Sequence, residues 1–253
     1  MNKIALITGA SAGIGEACAL KLAENGFDLI ITGRRKKKLE KLADKIQNQF
    51  NKEVLSLCLD VRNFEEVEKT VQSLPEKWKA IDLLVNNAGL AVGVSPVQEG
   101  VVDDWDRMID TNVKGLLYVT RCISPLMAAR KKGLIVNISS IAGKEVYPGG
   151  NVYCGTKHAV EAITKGMRID MLQHNIRVSS IAPGMVETEF SLVRFKGDAD
   201  KADQVYKGFE PLKAEDIADS LLFIATRPDH VSINDILIMP SAQASARDVV
   251  RDN

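Results

Sequence analysis

The sequence predicts an α/β fold in which one doubly wound parallel sheet of about seven strands is flanked by helices. Short apolar runs alternate with helical segments along the 253 residues, as they do where helical crossovers join parallel strands. A glycine-rich turn separates the first apolar run from the first helix. No linker, repeat or low-complexity tract divides the chain, so we expect residues 1–253 to form a single domain.

The elements follow from apolar periodicity and from the residues at their ends. Predicted strands span residues 4–8, 28–32, 54–59, 81–85, 134–138, 177–181 and 236–239. Predicted helices span residues 13–25, 35–49, 64–74, 103–130, 151–173 and 214–225. Gly26 ends the first helix, and Asp103 and Asp104 suit the positive end of the fourth. Asn112 lies inside that helix, where Asn is unfavourable unless its side chain or a local distortion has a use.

One polar segment, at about residues 189–210, interrupts this alternation of strands and helices. Segments of mixed composition beside a ligand site are often mobile lids over the substrate. We therefore expect a lid-like substrate segment here.

The charge balance argues against several classes of partner. Lys plus Arg and Asp plus Glu each total 33, so bulk charge gives no reason to expect nucleic acid or an anionic membrane. The sequence shows neither a signal peptide nor an apolar span of about 18 residues. We therefore expect a cytoplasmic protein that acts on a small molecule.

Cysteine and histidine spacing predicts neither disulfides nor a metal site. The four cysteines and three histidines are scattered, and no Cys-x-x-Cys occurs. Cys154 adjoins Tyr153, but no His or Asp lies at a supporting spacing nearby. We interpret it as a buried or incidental thiol rather than a nucleophile.

The glycine-rich turn reads Thr8-Gly9-Ala10-Ser11-Ala12-Gly13-Ile14-Gly15. Glycines let the backbone approach a phosphate closely, and the start of the following helix presents free N–H groups to it. A tight turn alone would explain the glycines. Their position between the first strand and the first helix favours the dinucleotide site of a Rossmann-type fold.

The end of the second strand predicts which dinucleotide binds. In such folds an acidic residue here holds a ribose 2′-hydroxyl, whereas an arginine accommodates a 2′-phosphate. Gly33 is followed by Arg34 and Arg35, with no Asp or Glu, which favours NADP over NAD. The basic run continues through Lys38 and could be a nucleic-acid patch. Because this run opens a helix in which Glu40 and Asp44 follow Lys36 at steps of four residues, we interpret residues 36–38 as a solvated face.

Two further strand ends carry polar or small residues. Asp60 is followed by Val61 at the end of the third strand, where its carboxylate could accept a hydrogen bond from an adenine amino group. The fourth strand leads into Asn86-Asn87-Ala88-Gly89, whose small and amide residues would let the backbone approach the cofactor.

Tyr153 and Lys157 are the candidate proton-transfer pair. Four residues apart on a helix, they lie on one face about 6 Å from each other. A nearby ammonium favours the phenolate and lowers the phenol pKa toward the range of a general acid/base. Tyr-x-x-x-Lys is a weak signal by itself, since any Tyr can meet a Lys at this spacing by chance.

Together these residues resemble the short-chain dehydrogenase/reductase family over nearly the full length. The matching motifs are Thr8-Gly9-x-x-x-Gly13-x-Gly15, Asp60, Asn86-Asn87-Ala88-Gly89, Asn112, Ser140, Tyr153-x-x-x-Lys157 and Pro183-Gly184. The resemblance implies that Tyr153 is the general acid/base and that Ser140 polarises the substrate oxygen, with Ser139 fitting the family spacing less well.

The same resemblance implies the remaining roles. Lys157 would hold the nicotinamide ribose and depress the pKa of Tyr153, and Asn112 would support a proton-relay water. The implied cofactor contacts are Gly9, Ser11, Ala12, Gly13, Ile14, Gly15, Arg34, Arg35, Asp60, Val61, Asn87, Ala88, Gly89, Tyr153, Lys157, Pro183, Gly184, Met185, Val186 and Thr188. Family members are commonly tetramers that pack helices 103–130 and 151–173 across an interface, so a homo-oligomer is implied.

A narrower resemblance is to the NADP-dependent 3-hydroxy acid dehydrogenases. It rests on residues 73–75, 87–91, 105–112, 188–198, 230–234 and 239–240. Ala12 departs from relatives that carry a basic residue in the glycine loop, so the NADP preference rests mainly on Arg34 and Arg35. The implied reaction transfers a hydride between NADP and serine, allo-threonine, 3-hydroxypropionate, 3-hydroxyisobutyrate or the corresponding 3-oxo acid or semialdehyde.

A carboxylate substrate needs a cation or a row of N–H donors. We name Arg194, in the lid-like segment, as that partner, although a surface or interface arginine is an equal alternative. Two other functions stay open: reduction of another carbonyl (a 3-oxoacyl thioester, sugar or diketone), and a non-catalytic NADP-binding sensor. A sensor would typically have lost the Tyr, Lys or Ser.

Overall fold

Within residues 2–252, which the computed structural model describes, seven strands form one sheet. They are β1 Ile4–Ile7, β2 Asp28–Gly33, β3 Val54–Cys58, β4 Ile81–Asn86, β5 Gly133–Ile138, β6 Ile176–Pro183 and β7 Asp235–Ile238. The strand order is β3-β2-β1-β4-β5-β6-β7, and every neighbouring pair is parallel. The predicted doubly wound parallel sheet is confirmed.

Helices join the strands on both faces of the sheet. They are α1 Gly13–Glu24, α2 Lys36–Phe50, α3 Phe64–Gln72, α4 Val102–Ile109, α5 Leu116–Arg130, α6 Asn151–Asp170, α7 Phe190–Arg194, α8 Ala199–Gln204 and α9 Ala214–Ala225. The predicted helix 151–173 ends as α6 at Asp170, and a short 3₁₀ turn, Leu172–His174, follows it.

The sheet has a hydrophobic core on each face. In β2, Leu29 and Ile31 pack on the side that holds α1, α2 and α9, whereas Ile30 packs on the side of α3, α5 and α6; all three are fully buried. A strand buried on both faces reads as a continuous apolar run, which is why these strands were visible in the sequence.

The prediction of one continuous α-helix over residues 103–130 is wrong. A π-helical turn, Asp110–Gly115, separates α4 from α5. Asn112 lies in this turn, and its side chain bonds the backbone N–H of Leu90 at 2.8 Å and the carbonyl of Leu90 at 2.9 Å. The widened turn brings the Asn112 side chain against the loop after β4. The expectation that Asn112 accompanies a local distortion of the helix therefore holds.

The lid-like segment contains two short helices, α7 and α8, and is fastened at several points. The Arg194 carbonyl accepts a hydrogen bond from Gly93 N–H at 2.9 Å. Lys196 pairs with the buried carboxylate of Asp104 at 2.7 Å. The Tyr206 hydroxyl donates to the Val186 carbonyl at 2.8 Å.

Residues 2–252 contain neither a membrane-spanning helix nor a group of metal ligands. No helix in that range is both long and apolar enough to span a membrane. In the same range, no three His, Cys, Asp or Glu side chains are grouped as metal ligands would be.

Candidate active site

A groove of about 370 Å³ lies at the carboxyl ends of the strands, where β1 and β4 are neighbours and the crossovers run off in opposite directions. Ligands of open α/β sheets bind at such a switch point. The predicted site residues that line it are Gly9, Ser11, Ala12, Gly13, Ile14, Arg34, Arg35, Asp60, Val61, Asn87, Ala88, Gly89, Ser140, Tyr153, Lys157, Pro183, Gly184, Val186 and Thr188. Gly15, Asn112, Met185 and Arg194 lie outside this lining.

The glycine turn needs its glycines for two different reasons. Gly9 and Gly13 have φ of +67° and +56°, in the left-handed region that other residues avoid. Gly15 is required by packing, because a Cβ there would lie 2.4 Å from Asn87 Nδ2 and 2.5 Å from the Gly9 carbonyl. Gly15 therefore packs against Asn87 and the Gly9 carbonyl and does not line the groove.

Met185 is held away from the groove by its backbone. Its N–H donates to Gln243 Oε1 at 2.9 Å, and its carbonyl accepts from the Leu212 N–H at 3.0 Å. A direct cofactor contact by Met185 therefore stays a prediction without support from the groove lining.

The adenosine end of the groove is strongly charged. The Arg35 Nε donates to Ser11 Oγ at 3.0 Å, which ties the guanidinium to the glycine turn. Glu189 reaches back from the lid-like segment and pairs with Arg35 at 2.8 Å and with Lys38 at 2.7 Å. Lys38 is exposed, as expected of a solvated face, and it also pairs with a residue that lines the groove.

Asp60 is already engaged by a neighbour. Arg62 grips its carboxylate through Nε at 3.0 and 3.1 Å and through Nη2 at 2.7 Å. The hydrogen bonds from Arg62 hold the pKa of Asp60 below its ordinary value. The carboxylate is therefore ionised and fixed in direction, with lone pairs left for another donor.

Tyr153 and Lys157 lie on the groove-facing side of α6. The Lys157 ammonium is 6.0 Å from the centre of the Tyr153 ring and donates to the Ile138 carbonyl at 2.9 Å. Burial lowers the pKa of Lys157 from 10.5 to about 8, opposed by the charge of Glu161. This pair is the candidate proton-transfer group that the spacing indicated.

The pKa of the Tyr153 phenol is raised, whereas the sequence-based expectation was a lowered pKa. Burial raises its pKa, and the nearby Ser140 hydroxyl and Arg194 guanidinium only partly oppose that rise. Desolvation of a phenolate outweighs these groups as long as the site has no bound ligand. The lowering of the Tyr153 pKa by Lys157 thus stays a prediction for the loaded site.

Both serines at the end of β5 line the groove. Ser140 Oγ accepts the Ala142 N–H at 3.1 Å, which orients it. The Ser139 hydroxyl is buried and has no hydrogen-bond partner among residues 2–252. The roles of the two serines stay predictions, with Ser140 favoured by the family spacing.

Asn112 lies behind the lining and is 2% exposed. Besides Leu90, its side-chain amide donates to Thr156 Oγ1 at 3.0 Å, which ties the π turn to α6. Its side chain thus positions the loop after β4 and the π turn, and its support of a proton-relay water stays a prediction.

Arg194 lies against Tyr147 rather than in the main groove. Its guanidinium is 5.2 Å from the centre of the Tyr147 ring, and it is close enough to Tyr153 to lower the pKa of that phenol. Both the Arg194 Nε and the Tyr147 hydroxyl are buried without a hydrogen-bond partner among residues 2–252. Two donors without a partner thus lie near the candidate acid/base.

The family model of the short chain dehydrogenases matches residues 3–198. The chain belongs to the short-chain dehydrogenase family. The sequence-based expectation of an oxidoreductase that acts on a CH–OH group is thereby confirmed, and so is the narrower resemblance. The NADP-dependent 3-hydroxy acid dehydrogenase YdfG of Salmonella typhi is 47% identical over 96% of this chain and 97% of that protein.

Two other matches are nearly as extensive. The Sulfoacetaldehyde reductase 2 of Chromohalobacter salexigens is 43% identical over the full length of both proteins. The solved closed form of serine dehydrogenase complexed with NADP⁺ superposes with a TM-score of 0.92, at 43% identity, over 99% of this chain and 100% of that one.

Sequence reasoning missed several groove residues. Additional lining comes from Gly33, Leu59, Leu90, Arg107, Thr111, Ile138, Glu189, Phe190 and Val193, and from Ser139, which the sequence offered only as the alternative to Ser140. Glu189, Phe190 and Val193 fall in the predicted lid-like segment, which was the available signal for them. Tyr147 had no such signal, because a single Tyr among glycines and a proline has no periodicity.

Proposed function

We propose that this chain is an NADP-dependent oxidoreductase that transfers a hydride between the cofactor and a short 3-hydroxy acid or its 3-oxo acid or semialdehyde. The observation that carries the substrate class is the pair of buried, unpartnered donors on Arg194 and Tyr147 beside Tyr153. A carboxylate bonded there would lie beside Tyr153, so a hydroxyl carried by the same small molecule could meet the phenol.

The groove fits NADP by its own geometry. The glycine turn suits a pyrophosphate, because Gly9 and Gly13 adopt positive φ, line the groove and lead into the N-terminus of α1. The Arg35 guanidinium at the end of β2 suits a 2′-phosphate. At this strand end, where NAD-binding folds carry an acidic residue, the groove is lined by Arg34 and Arg35. The names of the 3-hydroxy acid dehydrogenase and serine dehydrogenase relatives agree with NADP.

The proposed mechanism assigns proton handling to the protein. When bound, NADP supplies the hydride acceptor. Tyr153 removes the proton of the substrate hydroxyl, and the Ser140 hydroxyl donates a hydrogen bond to the same oxygen. Lys157, once it binds the ribose hydroxyls, supplies the positive charge that favours the Tyr153 phenolate against the effect of burial.

The substrate carboxylate meets Arg194 in this proposal. The guanidinium is held over the Tyr147 ring, and its backbone is fixed by the hydrogen bond with Gly93. A planar guanidinium that is already oriented loses little entropy when it binds a carboxylate. The Tyr147 hydroxyl would donate a further hydrogen bond.

A second candidate substrate class is a short sulfonate such as sulfoacetaldehyde. The same Arg194 and Tyr147 donors suit three sulfonate oxygens as well as two carboxylate oxygens, and a full-length relative bears the name sulfoacetaldehyde reductase. Tyr153 would then be the acid that protonates the aldehyde oxygen, and the reduced cofactor would supply the hydride.

The test follows reduced nicotinamide at 340 nm with purified protein. NADP and NAD are each paired with L-serine, L-allo-threonine, 3-hydroxypropionate, 3-hydroxyisobutyrate, isethionate and an uncharged secondary alcohol. We expect turnover of hydroxy acids with NADP, abolished by Tyr153→Phe. Turnover of isethionate alone would favour the sulfonate, and turnover of the alcohol alone would refute both anionic classes.

The role of Arg194 has its own control. Arg194→Ala should lower kcat/KM for the acids about tenfold to a hundredfold, the usual cost of losing a hydrogen bond to a charged group. It should lower kcat/KM for the uncharged alcohol much less, through the lost effect of Arg194 on the pKa of Tyr153. Arg247→Ala, at an exposed arginine of the C-terminal segment, should change neither. An equal loss on the acids and on the alcohol would reduce Arg194 to a structural residue.

A further inference from the structure

Glu189 is a carboxylate held among the cations that the proposed NADP site needs. One of its oxygens lies 2.8 Å from Arg35 Nη1 and the other lies 2.7 Å from Lys38 Nζ. These two hydrogen bonds hold the pKa of Glu189 below its ordinary value, so it is an anion at neutral pH. The protein thus places its own negative charge at the adenosine end of the groove.

The donors of Arg35 explain why this matters for a phosphate. A guanidinium offers two bidentate faces, one made of Nε and Nη2 and the other of Nη1 and Nη2. Ser11 takes Nε at 3.0 Å, and Glu189 takes Nη1 at 2.8 Å. A phosphate on the Nε–Nη2 face therefore competes with Ser11 for a donor. A phosphate on the Nη1–Nη2 face lies beside the Glu189 carboxylate, whose negative charge repels it.

Glu189 is the partner that can move. Ser11 belongs to the buried glycine turn, whereas the side chain of Glu189 is 49% exposed and comes from the lid-like segment. Its neighbour Thr188 packs over the turn, 3.3 Å from where a Cβ on Gly13 would lie. The same carboxylate therefore connects the 2′-phosphate site to the segment that covers the groove.

We propose that Glu189 is an internal competitor of the cofactor 2′-phosphate and thereby sets how strongly the site discriminates NADP from NAD. This inference rests on the proposed use of NADP. Binding of a 2′-phosphate replaces the Glu189–Arg35 pair and frees the start of α7, whereas a ribose with a free 2′-hydroxyl leaves the pair intact. Lys38, released from Glu189, becomes a further cation for the phosphate.

The test measures binding of adenosine 2′,5′-bisphosphate and of 5′-AMP by calorimetry, to the full chain and to Glu189→Gln. Exposed ion pairs are weak, so removal of the competitor should tighten the bisphosphate about threefold to tenfold and leave 5′-AMP unchanged. Glu40→Gln is the matched control, since Glu40 is an exposed carboxylate paired with Lys36 at 3.8 Å on the same helix α2. We expect it to change neither affinity.

Hydrogen exchange supplies a second readout. The Val193 amide donates to the Glu189 carbonyl in the first turn of α7 at 3.2 Å. The bisphosphate should speed exchange in residues 189–194 of the unaltered chain, and 5′-AMP should not. In Glu189→Gln, exchange should already be fast without ligand.

The outcomes separate the two proposals. Equal binding of the bisphosphate and of 5′-AMP by the unaltered chain would refute the use of NADP. A clear preference for the bisphosphate that Glu189→Gln does not increase, or that Glu40→Gln increases equally, would refute the role of Glu189 alone.

Discussion

Lys157 should take up protons when NADP binds at mildly alkaline pH. Burial lowers the pKa of its ammonium to about 8 in the free chain. In the proposed complex, ribose hydroxyl oxygens accept hydrogen bonds from the ammonium and replace the water that it lost, so its pKa rises again. Because the bound state then holds more protons than the free state, binding consumes protons from solution and weakens as the pH rises through 8.

The size of this uptake follows from the two pKa values. If binding restores the ordinary value of 10.5, uptake should be about 0.1 proton per NADP at pH 7, about 0.5 at pH 8 and about 0.9 at pH 9. The dissociation constant should rise about fivefold between pH 8 and pH 9, in proportion to the lost ammonium. A 2′-phosphate, with a pKa near 6, is already ionised in this range and does not contribute.

Titration calorimetry in two buffers of different ionisation enthalpy measures the uptake directly. Tyr153→Phe is the control that should preserve or increase the uptake, because it removes only the proton that the phenol would release when Lys157 favours its phenolate in the complex. Lys157→Met should abolish it. Equal heats in the two buffers at pH 8.5, or an uptake that Tyr153→Phe removes, would refute the assignment to Lys157.

Two further predictions test the frame of the site. Gly15→Ala should weaken NADP binding more than tenfold, because the new Cβ would overlap the side chain of Asn87. Circular dichroism should show that the fold is retained. Gly166→Ala is the control and should bind NADP normally, since nothing lies within 4 Å of a Cβ at that position. Asn112→Ala should lower the urea midpoint by the equivalent of about 3 kcal/mol, since it removes three buried hydrogen bonds worth about 1 kcal/mol each. A midpoint within error of the unaltered chain would show that the π turn does not depend on Asn112.

The inner strands β1, β2, β4 and β5 could be predicted from the sequence because burial on both faces makes them simple apolar runs. Strand β2 was predicted at residues 28–32 and spans Asp28–Gly33. The glycine turn was equally visible, since positive φ at Gly9 and Gly13 and the crowding at Gly15 each demand that residue type.

The π turn could not be placed in the same way. One extra residue per turn over Asp110–Gly115 leaves the composition of the helix unchanged. Asn112 was the single local signal, and the partner that explains it, the Leu90 backbone, lies 22 positions away.

Long-range ion pairs escaped prediction for a related reason. Lys38 was interpreted as a solvated residue from its neighbours along α2, whereas its partner Glu189 lies 151 positions further on. Nothing in the local pattern of either residue reports the other. The pairing appears only when the chain has folded and the lid-like segment lies over the groove.

The all-parallel order of the sheet has a consequence for how this chain acquires its shape. No strand can pair with its successor through a tight hairpin, so each pairing waits for a full crossover. β1 gains its second neighbour only when residues 81–86 have been made, and the groove lacks one wall until Thr188 is present. Such non-local pairing folds slowly. About three-quarters of the chain, up to Val193, must therefore be made before the lining of the groove is complete and the cofactor can stabilise the fold.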